Sequence, residues 1–425
     1  MPDAASSPIA GAPSTTPAGD PSTTPAGDPG ETPAGPLAGV RVLDLTSVVM
    51  GPFATQVLGD LGAEVIVVEG TTLEANRVMG PGPHPQLSGV ALNLMRNKRS
   101  LRLDFKHPAG REALLRVAAG CDVLVTNLRP GALARGRIAY EDVAGVRPNI
   151  VYCEAHGYPT DSERADDPAY DDVMQAATGI ADAVRIQSGT PGLAPTILVD
   201  KLCGLTIAYA VTAALFRRER TGQGERIEVP MVDTATAFVL VEHGAGAVAQ
   251  PPAGPAGYSR ILTPHRRPQR TRDGWIHVFA YTRNHFAALF GQAEDTVKVD
   301  PELYASGRAR IANADLLYQL VAEVMATRTT GEWMEFCRRA DVPATEITSL
   351  DDLVRRLPTG QHPETGPYKV IPPPVRFHRS PASVRRPAPL VGQHTEEVLA
   401  EAGLAPADVE ALRQAGAIPP DPDDR

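Results

Sequence analysis

The segment PTILVDKLCG, residues 195–204, carries a single carboxylate, Asp200, between two apolar stretches. The stretch that follows, residues 202–216, is apolar almost throughout, which predicts a buried helix. An aspartate at the start of such a helix has two interpretations. It is an N-cap that accepts hydrogen bonds from the first free amides of the helix, or it is a nucleophile held in a partly desolvated pocket. The residues of this segment alone are compatible with both.

The other side chains of the sequence argue against several kinds of site. The ten histidines form no HxxxH pair or other compact ligand set, so we expect no metal. The net charge of −9 argues against a nucleic-acid partner. No apolar run approaches the ~20 residues that cross a bilayer, so we expect no membrane partner. The cysteines show no CxxC pair, which indicates reduced thiols in a cytoplasmic protein; they are Cys121, Cys153, Cys203 and Cys337.

Strand and helix patterns alternate through the first half of the chain, and they must position Asp200. Strands are predicted at 40–45, 64–69, 99–105, 122–127, 150–158 and 225–231, and helices at 51–63, 108–120, 170–179, 201–218 and 232–248. This alternation indicates an α/β fold with an open, Rossmann-like parallel sheet and right-handed crossovers. Because the sequence contains no GxGxxG, a dinucleotide site is unsupported.

Composition divides the chain into a tail, two domains and the linkers between them. The N-terminus repeats PSTTPAGD and is dominated by Pro, Ala, Thr and Gly, which predicts disorder. A Pro/Gly-rich stretch near residue 250 separates the large domain from a smaller α/β domain. The predicted parts are a disordered tail (1–35), the large domain (36–232, completed by 385–416), a linker (233–259), the small domain (260–350), a return linker (351–384) and a C-terminal tail (417–425).

Several stretches together resemble one family, the class III CoA-transferases, which also include the α-methylacyl-CoA racemases. They include LAGVRVLDLTSVVMGPFATQVLGDLGAEVIVVE, DVLVTNLRPGALARG, AYDDVMQAATG, LVDKLCG and RRERTGQGERIEVPMVD. The resemblance covers roughly residues 37 to 416, and it rests on the number and order of the motifs. It implies an intertwined homodimer in which the large domain binds CoA.

The resemblance also implies roles for individual residues. Asp200 is the catalytic aspartate, which attacks an acyl-CoA to form an aspartyl acyl anhydride and then an aspartyl-CoA thioester, and Asp171 is an acid that supports this reaction. A small carboxylic acid collects the CoA. Acyl-CoA is thus a substrate, and no prosthetic group is expected. The positions implied to line the CoA site are Val48, Val49, Met50, Leu103, Asn127, Leu128, Arg135 and Met231.

Three departures from the family pattern keep two alternatives open. Tyr170 stands where the racemases have a histidine base, and tyrosine is a poor base at neutral pH, so a racemase is the weaker alternative. Gly70 replaces an arginine that often follows the strand-ending glutamate, and Pro168 replaces a lysine used by some members. These two changes make a non-catalytic CoA-binding homologue the other alternative. If a phosphate contact is replaced, Arg77 is the candidate.

Overall fold

The computed structural model describes residues 35–420. The predicted disordered tail therefore lies outside the described residues except for Gly35, and so do residues 421–425 of the predicted C-terminal tail. The chain remains packed beyond the predicted start of that tail, because Ala417 and Ile418 are buried in the core.

A six-stranded parallel sheet forms the centre of the large domain. Its strands are β1 (Arg41–Leu45), β2 (Glu64–Glu69), β3 (Lys98–Arg102), β4 (Val123–Thr126), β5 (Val151–His156) and β6 (Glu225–Pro230). They lie in the order β3-β2-β1-β4-β5-β6, and every neighbouring pair is parallel. The order reverses between β1 and β4, and ligands of open α/β sheets bind at the carboxyl ends of the strands beside such a reversal. The sequence-based prediction of an open, Rossmann-like parallel sheet is confirmed.

Helices cover both faces of this sheet. They are α1 (Met50–Asp60), α2 (Gly89–Leu94), α3 (Pro108–Ala119), α4 (Pro130–Gly136), α5 (Tyr140–Val146), α6 (Asp171–Ala177), α7 (Ile180–Ser188), α8 (Val199–Thr221) and α9 (Met231–His243). Alternate strand residues face opposite cores. Val42 packs with residues of α1 and α8, whereas Leu43 packs with α3, α5 and two C-terminal helices, α16 (Thr395–Glu401) and α17 (Pro406–Gln414). The period-2 pattern of the strands thus separates two hydrophobic layers.

The contact between α1 and α8 is unusually close. A Cβ on Gly204 would lie 2.8 Å from the carbonyl oxygen of Met50 and 2.9 Å from a ring carbon of Phe53. Only glycine fits at this point without a shift of α1. The first turns of both helices are therefore held side by side, next to the carboxyl end of β1.

The second half of the chain forms a smaller α/β unit. A three-stranded antiparallel sheet contains β7 (Gln269–Arg270), β8 (Trp275–Val278) and β9 (Ala344–Glu346), and a hairpin follows with β10 (Thr359–His362) and β11 (Gly366–Lys369). The helices in this part of the chain are α10 (Ser259–Leu262), α11 (Arg283–Phe290), α12 (Gly307–Ala312), α13 (Ala314–Met325), α14 (Thr330–Arg339) and α15 (Leu350–Arg356), whereas α16 and α17 return to the core of the large domain. A separate core, which includes the fully buried Trp333, stabilises this unit.

Helix α8 extends beyond its predicted bounds on both sides. At 23 residues it is, within the described part of the chain, the one helix long and apolar enough to cross a bilayer. Half of its most apolar stretch is buried inside the protein. The core helix of a globular domain meets the same criteria of length and composition, so these criteria alone assign no membrane span.

A buried ion pair ties the large domain to the returning chain. The guanidinium of Arg77 donates to both carboxylate oxygens of Glu69, at 2.5 and 2.6 Å, and neither side chain is more than 1% exposed. Its remaining nitrogen donates to the carbonyl oxygens of Gln86 and Pro389, at 3.1 and 2.9 Å. Because every nitrogen of the Arg77 guanidinium has an acceptor, the desolvation of its charge is offset.

We expect Arg77→Met to destabilise the protein by about 3–5 kcal/mol, since it leaves the Glu69 carboxylate buried and unpaired. The matched control is Arg413→Met, which breaks the exposed pair with Glu396 and should change stability by less than about 1 kcal/mol. Urea unfolding followed by circular dichroism measures both. Equal effects of the two substitutions would contradict this account of the buried pair.

Candidate active site

A cavity of about 300 Å³ lies at the carboxyl ends of β1, β4 and β5, where the strand order reverses. It is lined by Ser47, Val48, Met50, Asn127, Leu128, Arg129, Ala132, Ala155, His156, Gly157, Asp167, Pro168, Ala169, Tyr170, Asp200 and Met231. Asp200 reaches it from the first turn of α8. Turns that are far apart in sequence therefore meet at this cavity, around the carboxylate of Asp200.

The turn between β1 and α1 forms one wall of the cavity. Asn127, directly after β4, accepts a hydrogen bond from the Ser47 amide and donates one to the Ser47 carbonyl, both at 2.9 Å. Val48, the next residue, has a left-handed backbone with a φ of 66°, which is unfavourable for a β-branched side chain. The amide of Asn127 thus holds the turn in a strained conformation.

A buried charge pair also stabilises the turn between β1 and α1. The ammonium group of Lys98 on β3 donates to the Asp44 carboxylate at 3.0 Å and to the Pro52 carbonyl at 3.0 Å. The other Asp44 oxygen accepts from the Thr46 amide at 3.0 Å. Burial lowers the pKa of Lys98, and the Asp44 charge opposes that effect. These bonds link Asp44, Thr46 and Pro52, which lie in or beside the β1–α1 turn, through the buried pair of Lys98 and Asp44.

The carboxylate of Asp171, not that of Asp200, caps α8. One oxygen of Asp171 accepts from the Val199 amide at 2.6 Å and from the Asp200 amide at 3.1 Å. The N-cap position is Leu198, and Asp200 is the second residue of the helix. Of the two interpretations of Asp200, that of an N-cap is therefore wrong, because the first amides of α8 already donate to Asp171. Asp200 is left free to face the cavity.

The environment of Asp200 disfavours its negative charge. Burial, and after it the charge of Asp171, raise the pKa of Asp200 to about 6 from an ordinary value of 3.8. A hydrogen bond from the Met50 amide, at the start of α1, acts in the opposite direction. The carboxylate is therefore ionised at neutral pH, but it is poorly stabilised. This combination suits an oxygen nucleophile.

The residues predicted from the sequence lie in several places. Asp171 is buried behind Asp200, and Val48, Met50, Asn127, Leu128 and Met231 line the cavity. Val49 instead lines a separate apolar groove of about 740 Å³ beside α1 and α8. Leu103 is fully buried in the opposite core, and Arg135 is exposed on α4 without lining the cavity. The structure thus brings together the predicted residues of the strand-end turns.

Some lining residues were not assigned to the site by the sequence. Arg129 lines the cavity and donates to the Asp166 carbonyl at 3.1 Å, while the Gly131 amide donates to the Asp166 carboxylate at 2.9 Å. These contacts fold the segment 159–168 over the cavity, so Pro168 becomes part of the wall. The position of Arg129 directly after β4 and Leu128 was the signal that could have identified it.

Arg77 does not supply the phosphate contact for which it was the candidate. Its side chain is fully buried, and each of its nitrogens already donates to Glu69 or to a backbone carbonyl. His156 does line the cavity, and one ring nitrogen lies 3.4 Å from the Glu154 carboxylate. Within residues 35–420, no group of three or more His, Cys, Asp or Glu side chains is arranged to hold a metal.

Comparison with known proteins extends over almost all of the described chain. The family model described as CoA-transferase family III matches residues 37–395. A succinyl-CoA:glutarate CoA-transferase of Mus musculus is 31% identical over 375 residues, with 86% of each chain covered. A formyl-CoA:oxalate CoA-transferase of Afipia carboxidovorans is 30% identical, covering 90% of this chain and 97% of that protein. The crystal structure of Rv3272 from M. tuberculosis has a TM-score of 0.71 and 29% identity, covering 86% of this chain and 99% of the other.

We expect Asp200→Asn to stabilise the protein at neutral pH by about 1–3 kcal/mol. The pKa of Asp200 is higher in the folded state than the ordinary 3.8, so the native protein binds this proton more tightly than the unfolded chain. Ionisation therefore reduces stability, and this loss develops between about pH 4 and pH 6 and persists above. The uncharged asparagine avoids it.

Urea unfolding of the parent and Asp200→Asn proteins at neutral pH and near pH 4 measures this effect. The control is Asp182→Asn, because Asp182 is an exposed first-turn acid on α7 that pairs with Arg185. A stabilisation that is absent at neutral pH, or that is equally large near pH 4, would show that burial does not oppose the Asp200 charge.

Proposed function

The chain belongs to CoA-transferase family III, and from this membership we propose that it transfers CoA from an acyl-CoA thioester to a carboxylic acid through covalent intermediates on Asp200. The observation that carries this proposal is the arrangement of Asp200 itself. Its carboxylate is buried, faces a cavity at the switch point of the sheet, and has a raised pKa. No lysine or arginine within residues 35–420 forms an ion pair with it.

The first half of the reaction would move CoA onto the protein. An oxygen of Asp200 attacks the thioester carbonyl, the carbon–sulfur bond breaks, and CoA leaves as a thiolate, which leaves an aspartyl acyl anhydride. The thiolate then attacks the Asp200 carbonyl carbon. This step releases the donor acid with the bridging oxygen and leaves an aspartyl-CoA thioester. Charge is conserved at each step, since one anion replaces another.

The second half would reverse these steps with a new acid. The acceptor carboxylate attacks the Asp200 carbonyl of the thioester and expels the CoA thiolate, which forms a second anhydride. The thiolate attacks the acceptor carbonyl, and the new acyl-CoA leaves while Asp200 regains its carboxylate. The overall exchange of one thioester for another is nearly neutral in energy, so catalysis needs position and electrostatics rather than an energy source.

The groups around Asp200 would favour acylation. The charge of Asp171 repels an ionised Asp200 but not a neutral anhydride or thioester, so it raises the energy of the resting carboxylate. The amides of Val199 and Asp200 donate to one oxygen of Asp171 and hold its carboxylate at the start of α8. The Met50 amide donates to the Asp200 carboxylate and partly offsets the rise of its pKa. Together these contacts make Asp200, and not Asp171, the nucleophile.

The relatives indicate the class of substrates that we propose. The murine relative is named for succinyl-CoA and glutarate, and the Afipia relative for formyl-CoA and oxalate. We propose that this chain likewise uses an acyl-CoA and a small carboxylic acid, with no prosthetic group. Two exposed arginines, Arg129 directly before α4 and Arg135 on α4, are suited to bind the phosphates of CoA.

The two alternatives have less support. A racemase requires a base beside the α-carbon, and Tyr170 stands in the cavity wall in place of the racemases' histidine base. His156, which also lines the cavity, has one ring nitrogen 3.4 Å from the Glu154 carboxylate. A non-catalytic homologue is suggested by Gly70 and Pro168. Such a homologue would bind CoA, but it would not require an aspartate whose negative charge is disfavoured by burial. The arrangement of Asp200 favours the transferase over both.

We also propose that the protein is a homodimer in the cytoplasm. Large apolar side chains are exposed on the outer faces of α8 and α9: Tyr209 is 66%, Phe216 65% and Val241 83% exposed. Clustered apolar surface of this kind marks protein interfaces, and an intertwined dimer would cover it. All four cysteines are unpaired, which is typical of a reducing compartment.

We expect incubation with an acyl-CoA and hydroxylamine to inactivate the protein and to convert Asp200 into a hydroxamate. Hydroxylamine attacks the activated carbonyl of the anhydride or thioester. Peptide mass spectrometry locates the product. Asp200→Ala should reduce CoA exchange by at least about 10⁴-fold, as loss of a covalent nucleophile does, whereas Asp182→Ala, at the exposed pair with Arg185, should leave it unchanged. An unmodified Asp200 in a protein that actively exchanges CoA would contradict the covalent mechanism.

We expect light scattering to give twice the mass of one chain. Introduction of a charge by Phe216→Glu should weaken the dimer, because a buried unpaired carboxylate is unfavourable at an apolar interface. The control is Val146→Glu on α5, which lies on the opposite side of the sheet. A monomeric parent protein would contradict the proposed assembly.

A further inference from the structure

Gln175 is a fully buried amide that contacts both the acid behind Asp200 and the segment that leads to Asp200. Its side-chain nitrogen donates to the free oxygen of Asp171 at 2.6 Å. The same nitrogen lies 3.4 Å from the Thr196 carbonyl, and its oxygen accepts from the Ala194 amide at 2.8 Å. Gln175 therefore joins α6 to residues 194–196, only a few positions before α8.

These contacts determine which way the amide points. The Ala194 amide can only donate, so it requires the oxygen of Gln175, and this places the NH2 group against Asp171. An NH2 group at 2.6 Å is a partner for an ionised carboxylate oxygen. With the amides of α8 on its other oxygen, Asp171 accepts three hydrogen bonds and donates none. The site is thus built for a negative charge on Asp171.

We propose that Gln175 is a positioning residue for the transfer reaction, which holds the Asp171 carboxylate against the first amides of α8 and thereby fixes Asp200 as the group that is acylated. This inference rests on the proposed function. Two carboxylates that share a buried site do not ionise independently. Without the Gln175 donor, the Asp171 carboxylate beside Asp200 would lose one of its three hydrogen bonds, and the segment before α8 would lose its attachment to α6.

The surroundings of Gln175 contain few other charges. The elements packed against α6 carry Asp200, Lys201 and the buried thiol of Cys203 on α8, the surface pair Asp182 and Arg185 on α7, and the exposed Asp233 on α9. The Lys201 ammonium contacts the Thr196 hydroxyl at 2.7 Å. None of these side chains donates to Asp171 in the described part of the chain. Gln175 is consequently the side chain whose change should alter the balance between the two acids.

The decisive variant is Gln175→Glu. A protonated carboxyl at this position can donate its O–H to Asp171 and accept from the Ala194 amide, so it reproduces both bonds of the glutamine. The ionised form repels Asp171. We therefore expect the variant to work almost as well as the parent near pH 6, and the ratio of variant to parent kcat to fall about ten-fold or more towards pH 8.5. If Gln175 had only a packing role, the ratio of variant to parent kcat would not fall in this way towards alkaline pH.

Gln175→Met, which removes both bonds while keeping the volume, should lower kcat about 10- to 100-fold at every pH and leave the KM for acyl-CoA within about two-fold. The control is Gln187→Met, because Gln187 is a half-buried glutamine on α7 with one long bond to the Ile261 carbonyl. A parent-like pH profile in Gln175→Glu together with full activity in Gln175→Met would overturn the proposal. If Gln175→Met does not fold, the profile of Gln175→Glu decides.

A second readout needs no turnover. Carbodiimide couples amines to protonated carboxyl groups, so the pH dependence of Asp200 labelling in the resting protein reports its protonation. We expect Gln175→Met to move that dependence away from about pH 6, the value for the parent, and Gln187→Met to leave it in place. An unmoved labelling profile would overturn the positioning role. Absence of CoA exchange in the parent, with a shifted profile in the variant, would instead reject the proposed function alone.

Discussion

The carboxylate of Asp171 accepts the first amides of α8, and the geometry of the site depends on this contact. The first turn of α8 is buried at Val199 and Asp200, so the free amides of this turn need an acceptor. Asp171 supplies it from another helix. Asp200, which would otherwise be the natural cap, is thereby released to the cavity. The same negative charge that stabilises the end of α8 destabilises the charge on Asp200.

A second constraint is the reversal of strand order between β1 and β4. It leaves a crevice at the carboxyl edge, and the turns after both strands meet there. Asn127 and the buried Lys98–Asp44 pair use their hydrogen bonds to hold the β1–α1 turn, in which Val48 has a left-handed backbone. Polar groups near the cavity therefore serve to shape it. Buried charges of this kind contribute little net stability, but they define one arrangement.

Much of this arrangement could be read from the sequence. The alternation of β-branched strands with amphipathic helices predicted the parallel sheet, because this fold class follows from local patterns. The family resemblance is confirmed by the match over residues 37–395. The roles of individual site residues stay predictions.

What the sequence did not reveal are contacts between distant residues. Nothing local distinguishes Asp171 as the cap of α8 from Asp200, since both are acids in first turns. The use of Arg77 in a buried pair depends on Glu69 and on the chain near Pro389. Leu103 continues a strand pattern that reaches the carboxyl edge, yet it turns into the opposite core. The orientation of Gln175 requires the position of Ala194, which only the folded chain supplies.

The most direct test of covalent transfer through Asp200 follows the oxygen atoms of the acceptor acid rather than the CoA. If the acceptor carboxylate attacks an aspartyl-CoA thioester, one of its oxygens becomes the bridge of the second anhydride and remains on Asp200 when the new acyl-CoA leaves. After turnover with an acceptor acid labelled with heavy oxygen, the peptide that contains Asp200 should carry the label, and no other aspartyl peptide should. Formation of labelled acyl-CoA product with an unlabelled Asp200 would show that the acyl exchange bypasses this side chain.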